Sequence, residues 1–322
     1  MSESLSFFTG DDRVLPFQVE GLDVRGRVVR LGPAIDSVLA RHDYPLSVSK
    51  VLGEAVALTI LLGTSLKIDG RFQLQTRSDG PIGMMVVDFE APDRVRGYAR
   101  FDEERLGETQ DTGALLGNGH LAFTIDPGED MSRYQGVVPL EGESLEEAAH
   151  QYFRQSEQIP TRIRLAVAEA FGSNEDSHSW RAGGVMIQYL PPAGEGVRQP
   201  DLPPGDVPEG VEAPVSTFPE DDGWVEAQAL VDTVEDHELI DPMIASEELL
   251  YRLFHERGVR VFDSSQVRES CRCSRERILG MLNSFTPEDR RDMVADDGKI
   301  TVTCEFCSTR YEVAPSEVGL DD

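Results

Sequence analysis

All four cysteines of the chain fall within its last 52 residues, as Cys271-Arg-Cys273 and, after 30 intervening residues, Cys304-Glu-Phe-Cys307. Two close pairs so placed limit what the C-terminal part of the chain becomes. Where thiols are kept reduced, such pairs point to a metal or to redox chemistry before structural disulfides. The first residues, Met-Ser-Glu-Ser-Leu-Ser-Phe-Phe, lack the basic and apolar regions of a secretory signal, so a cytoplasmic location is expected. Four thiolates fill zinc's tetrahedral coordination and leave no open position for a catalytic water, which disfavours a hydrolytic zinc enzyme. Spacing leaves open a permanent structural site and a redox switch, because each pair is also close enough to form a local disulfide. Arg268, Arg272, Arg275 and Arg277 are expected to favour thiolate, and hence oxidation, by their positive potential.

The sequence around the pairs reads as a small module. Ser274 suits the cap of a helix carrying Ile278, Leu279, Met281, Leu282 and Phe285 on its apolar side, and Thr286-Pro287 starts a second helix. Asp297-Gly298 predicts a tight turn into a hairpin, with Ile300 and Val302 on one strand, Tyr311 and Val313 on the next, and Cys304 to Cys307 as the knuckle. A unit of about 50 residues has too little core to fold alone, so zinc, one ion per chain, is expected to supply on the order of 10 kcal/mol of its stability.

Residues 1–190 read as an α+β domain. Short β-type runs at Leu22–Leu31, Phe72–Arg77, Met84–Phe89, His120–Ile125 and Gly184–Leu190 are bounded by Gly, Pro and Asp. Helical periodicity marks Val48–Leu62, with one broad buried face, and Ser144–Ser156. The absence of regular strand-helix alternation argues against a doubly wound sheet. Between Pro191 and Pro219 lie 8 of the 19 prolines, so residues 191–220 read as a linker. Residues 221–258 read as a marginally stable helical segment, interrupted at Asp241-Pro242 and running on from a Ser246 cap to a Gly258 stop. Residues 259–322 form the C-terminal cysteine domain. Charge is concentrated: from Gly194 to Leu250 there are 16 acidic residues and one basic residue, Arg198, within a total of −29. Such a field repels phosphates and anionic lipids, so neither nucleic acid nor membrane is an expected partner.

Other motifs are weak. Gly117-Asn-Gly119 imitates a dinucleotide fingerprint but leads into a strand, and His237-Glu238 and His255-Glu256 lack the second histidine of a zinc-protease motif. Ser177-His178-Ser179 reads as a surface turn. No enzymatic activity is expected. A cytosolic thiol oxidoreductase would need a thioredoxin-like setting around Cys304-Glu-Phe-Cys307, which instead joins two hairpin strands. A binding module with a permanent structural zinc site is the other alternative.

The segment Cys271-Arg-Cys273-Ser-Arg-Glu-Arg277, with Val302-Thr-Cys304-Glu-Phe-Cys307 and Tyr311, resembles the cysteine signatures of the 33 kDa redox-regulated chaperone family, heat shock protein 33. Tyr134-Gln-Gly136-Val-Val-Pro139-Leu140, Tyr152 to Thr161 and Ala182 to Pro191 extend the likeness over nearly the whole chain. The resemblance implies an ATP-independent holdase, inactive when reduced and zinc-loaded, and activated when oxidants form Cys271–Cys273 and Cys304–Cys307 disulfides and expel the metal. It also implies an N-terminal substrate-binding domain, a homodimer in the oxidised state, unfolded proteins as clients and ATP-dependent foldases downstream. The cysteine module is then expected to be the platform on which the helical segment docks. Its loss would free Trp224, Leu230, Leu239, Ile240, Leu249, Leu250 and Phe254 for client contact. The Pro-rich stretch from Gly194 to Pro219 is longer than a typical linker of such a family and reads as an insertion that touches no cysteine.

Overall fold

Alternation along the strands divides this molecule into layers. The computed structural model describes residues 10–66, 70–107, 109, 111–128, 132–171, 178–190 and 221–320, so the Pro-rich linker and Ser177 lie outside the described residues. In chain order, β1 (Arg13–Val19) and β2 (Val24–Leu31) lead to helices α1 (Pro33–Leu39) and α2 (Leu46–Ser65). Strands β3 (Arg71–Ser78), β4 (Met84–Glu90) and β5 (Arg94–Arg100) precede short helices α3 (Glu103–Leu106) and α4 (Thr112–Leu116). Then come β6 (Asn118–Asp126), β7 (Tyr134–Glu141), α5 (Leu145–Tyr152), β8 (Thr161–Phe171) and β9 (His178–Tyr189). The linker helices are α6 (Asp222–Asp232), α7 (Asp236–Ile240) and α8 (Ser246–Phe254), followed by short strands β10 (Val259–Val261), β11 (Ser265–Gln266) and β12 (Arg268–Glu269). The C-terminal module holds α9 (Arg275–Asn283), α10 (Pro287–Asp292), β13 (Ile300–Thr303) and β14 (Arg310–Val313).

The fold is α+β, as the sequence implies. One sheet runs β10-β1-β2-β9-β8 with β11 also on β1, a second runs β12-β5-β4-β3-β6-β7, and β13 and β14 form a separate hairpin. All five expected strands are present, whereas β1, β5, β7 and β8 escaped the sequence reading. Strand β8, Thr-Arg-Ile-Arg-Leu-Ala-Val-Ala-Glu-Ala-Phe, is rich in good helix formers, and its full-length antiparallel pairing with β9 overrides that propensity.

Helix α2 lies between the two sheets, and the expectation of one broad buried face is corrected here: 15 of its 20 residues are buried, all round the helix. By length and composition α2 is apolar enough to cross a bilayer, but most of it is inside this protein. Glu54 is its one acidic residue. Burial, then the neighbouring Glu146, pushes its carboxyl from 4.5 up to about 8, against a hydrogen bond from the Thr112 hydroxyl. The folded chain therefore keeps a proton there that the unfolded chain releases, and stability is lost as pH rises from about 4.5 to about 8. Glu54→Gln, neutral throughout, should melt progressively higher than the parent as calorimetry is repeated from pH 5 to 9; parallel curves would mean that Glu54 ionises normally.

The opposite face of the first sheet carries Leu15, Phe17, Val19, Val24, Val28, Val185 and Ile187, and the linker helices cover it. Helix α6 contributes Trp224, Ala227 and Val231, α7 contributes Leu239, and α8 contributes Leu249, Leu250, Leu253 and Phe254. The Phe254 and Phe17 rings pack with centroids 5.8 Å apart. The linker's platform is thus the core sheet, which corrects the expectation that it docks on the cysteine module. The apolar spacing of these helices announces a buried face without saying what covers it. Polar contacts complete the docking. Buried Arg30 on β2 donates to the Glu238 and Asp241 carbonyls at the end of α7, and Arg181 donates to the Ile240 carbonyl while pairing with Asp11. The segment also breaks once more than expected, at residues 233–235, and Ser246 is the first residue of α8, not its cap: Ala245 holds the N-cap position and no side chain caps the helix.

Candidate metal centre

The cysteine module builds from its caps. The Ser274 hydroxyl accepts from the Arg277 N–H to start α9, and Thr286 forms a capping box with Asp289 to start α10, both where the sequence places them. Ile278, Leu282, Ile300, Val313, Val318 and Leu320 make a small core of their own. Met281 and Phe285, expected on that apolar side, are exposed, because helix rotation brings only Ile278 and Leu282 fully onto the hairpin.

That packing brings all four cysteines together. Cys271 Sγ lies 3.7 Å from Cys304 Sγ, Cys273 Sγ lies 3.3 Å from Cys307 Sγ, and the four sulfurs are within 4.8 Å of one another. Tetrahedral Zn–S bonds of about 2.3 Å put ligand sulfurs about 3.8 Å apart, so both spacing and donor set fit. The cluster could hold a metal ion and, with four sulfur ligands, leaves it no open position. The knuckle that carries the second pair is closed by Cys304 N–H donating to the Thr309 carbonyl and Ser308 N–H donating to the Cys304 carbonyl.

Taken by themselves, Cys273, Cys304 and Cys307 are unequal. Burial, with hydrogen bonds shared among the sulfurs, pushes Cys273 up to about 12 despite a hydrogen bond from Tyr311, and burial also raises Cys304. Burial opposes ionisation of Cys307 too, but the hydroxyl and N–H of Thr309 and the Cys273 thiol favour its thiolate and bring it down to about 7. The expectation that the local arginines favour thiolate is corrected. Arg268 pairs with Asp93, Arg272 with Glu90 and Arg275 with Glu317, while Arg277 donates to the Arg272 carbonyl. Their charge is directed to carboxylates and a carbonyl.

The sequence reading missed the core residues that border the cluster. Alternation along β5 turns Val95, Gly97 and Ala99 toward α2 and leaves Arg94, Arg96, Tyr98 and Arg100 on the outer face. Arg96 stacks with its guanidinium 3.9 Å from the Phe306 ring centroid, and Cys271 acts electrostatically on the same guanidinium. Tyr98 meets Phe306 edge-on at 4.8 Å, and Arg100 forms a two-pronged pair with Glu305. His42 Nε2 lies 3.4 Å from the Phe306 carbonyl and therefore donates, which leaves Nδ1 to accept from the Ser308 hydroxyl at 3.0 Å. The repeat Arg-Val-Arg-Gly-Tyr-Ala-Arg, one-sidedly basic in an acidic chain, was the available signal.

Of the residues expected to meet clients, none is openly exposed. Trp224, Leu239, Leu249, Leu250 and Phe254 are buried, and Leu230 and Ile240 are partly buried against the same cluster. Residues 259–269, assigned by sequence to the C-terminal domain, run along the edges of both core sheets: β10 and β11 pair with β1, and β12 pairs in parallel with β5. They connect the last linker helix to Cys271. Gly117-Asn-Gly119 lies at the start of β6 and opens no helix.

A family model described as Hsp33 protein matches residues 12–314. The chain is 47% identical over 311 residues to the 33 kDa chaperonin of Caulobacter vibrioides (strain NA1000 / CB15N), covering 95% of each. It is 35% identical over 304 residues to that of Ectopseudomonas mendocina (strain ymp), covering 94% of this chain and 92% of the relative. The crystal structure of the 33 kDa chaperonin from Thermotoga maritima superposes with a TM-score of 0.73 over 95% of this chain and 96% of that one; at 22% identity this is a likeness of fold.

Proposed function

The chain belongs to the Hsp33 family of 33 kDa chaperonins, and from that premise we propose that it is a redox-switched, ATP-independent holdase. Cys271, Cys273, Cys304 and Cys307 hold one zinc ion in the reduced chain. Bound there, zinc would keep all four thiols ionised and tie the module's two halves together. The observation that carries this reading is the four-sulfur cluster, joined to the client-excluding linker by residues 259–269 along both core sheets.

On oxidation each thiolate pair gives two electrons to a peroxide: one S–S bond forms, the O–O bond breaks, and the oxygens leave as water after taking up protons. The resemblance to the Hsp33 family implies the disulfides Cys271–Cys273 and Cys304–Cys307. Only one or two residues separate the partners, so these pairs stay within reach as the module loosens, whereas pairs between the two motifs need the folded module. Thiols committed to disulfides no longer bind metal, and a core of six buried side chains is too small to persist. Strands β10 to β12, two or three residues each, then have little to hold them at the sheet edges, and α8, α7 and α6 follow. This bares Trp224, Leu230, Leu239, Ile240, Leu249, Leu250 and Phe254 together with the sheet face they cover. The dense acidic charge between residues 194 and 250 keeps the opened form dispersed. Unfolded client proteins bind there, the oxidised chain pairs as a homodimer, and clients pass to ATP-dependent foldases; the setting is the cytoplasm under oxidative stress.

The test is light scattering from a chemically unfolded client diluted into reduced, zinc-loaded protein or into peroxide-treated protein, with released zinc followed by a chelating dye. Suppressed aggregation after oxidation alone, together with metal release, is the expected result. Equal behaviour of the two forms would sink the switch and favour a permanent structural site.

A further inference from the structure

We infer that Arg96, on the outer face of the second core sheet, is a positioning residue of the cysteine cluster, holding both cysteine motifs against β5 and so controlling how readily they release a bound metal. The inference rests on the zinc reading above and names the core residue that takes part in it. Arg96 stacks on Phe306, which lies between the cysteines of the second motif, with its guanidinium 3.9 Å from the ring centroid, and Cys271 of the first motif acts electrostatically on the same guanidinium. Its position is rigid. Nε and Nη2 both donate to Asp88 Oδ2, and Asp88, 3% exposed, also accepts from Gln73 at 2.7 Å. Phe306 is in turn held by Tyr98 and, through its carbonyl, by His42.

The chemistry gives that contact a purpose. A divalent cation with four thiolates carries a net charge of about −2, and a guanidinium held beside the cluster offsets part of it while its stacking on Phe306 steadies the knuckle. Arg272, between the first two cysteines, is turned to Glu90 and does not fill this role. Stacking on Phe306 makes the same cation sensitive to the second motif, since closing a disulfide across Cys304 and Cys307 must remodel the knuckle that presents the ring. The core domain thus contributes to the stability of the metal site, and the cluster's state acts directly on β5 beside the edge strand β12.

The experiment compares reduced full-length wild type with Arg96→Gln, Phe306→Ala, the double variant and Phe306→Tyr. Zinc stoichiometry, the rate of zinc transfer to a chelator without oxidant, and hydrogen exchange of β5 and the knuckle are measured. Both Arg96→Gln and Phe306→Ala should bind one zinc per chain and release it about tenfold faster, the magnitude usual for outer-shell partners. The double variant should be little faster than either alone, because the two side chains act as one contact. Phe306→Tyr should behave as wild type, and exchange at residues 304–308 should rise in the two fast variants. Phe306→Ala leaves the Arg96–Asp88 pair intact, so it answers the question even if Arg96→Gln folds poorly. Wild-type release rates in both single variants, with zinc bound, would overturn this inference and leave the function intact. A reduced wild type that takes up no zinc would overturn both.

Discussion

A reduced Cys273→Ser chain is expected to keep its two core sheets folded and to lose the structure of residues 270–320. The module's own core is six buried side chains, too few to offset the chain entropy of about 50 residues. A four-thiolate zinc site contributes on the order of 10 kcal/mol, and one missing ligand forfeits much of that. Cys273 is the sharpest place to cut, because it touches Cys307 at 3.3 Å and accepts from the Tyr311 hydroxyl at 3.2 Å, so its loss also unties the hairpin. Hydrogen exchange reads the outcome: amides of Ile278, Ile300 and Val313 should exchange at nearly unfolded rates, while those of α2, buried between the sheets, stay protected. Chelation of zinc from reduced wild type should reproduce the pattern. Full protection of the module in the variant would show that it folds without the metal and would remove the first step of the switch.

Gly183→Ala should release the linker while leaving the proposed zinc site of the module intact. Gly183 lies on β9 directly opposite Arg30 of β2, on the face covered by α7. A Cβ there would come within 2.2 Å of the Leu239 carbonyl oxygen and 2.8 Å of its carbon, so something must move. Strand β9 is hydrogen-bonded to β2 and β8 along both edges, whereas α7 is five residues long. The helix is what yields. Its displacement also breaks the hydrogen bonds that Arg30 and Arg181 donate to its carbonyls, each typically worth about 1.5–3 kcal/mol for a charged donor. The expected phenotype is fast hydrogen exchange over residues 222–254, one zinc still bound, and suppression of client aggregation without oxidant. Gly184→Ala is the directional control. Its Cβ points to the other face, meeting Leu165 and Leu61 at 2.9 and 3.0 Å, so it should lower core stability without loosening the linker selectively. A Gly183→Ala chain with a protected linker and no activity in the reduced state would separate linker docking from client binding.

What the sequence by itself determined is local in origin. The two cysteine pairs, the caps at Ser274 and Thr286, the hairpin strands around Cys304 and Cys307 and the Ser144 cap of α5 depend on groups a few residues apart, and each is found where its spacing indicates. The seven apolar linker residues are likewise packed, as helical periodicity requires. Only the tertiary structure decided against what they pack. The choice of core sheet over cysteine module depends on which face of β1, β2 and β9 remains after α2 has covered the other, and that is set by sheet order and register between strands far apart in sequence. The same holds for Arg96 and His42, which reach the knuckle only because β5 and the turn before α2 lie beneath it. Helix caps and metal-ligand spacings are properties of neighbouring residues and can be read along the chain. Which surfaces meet depends on long-range contacts made by the chain as a whole, and local patterns specify only that a surface must be covered.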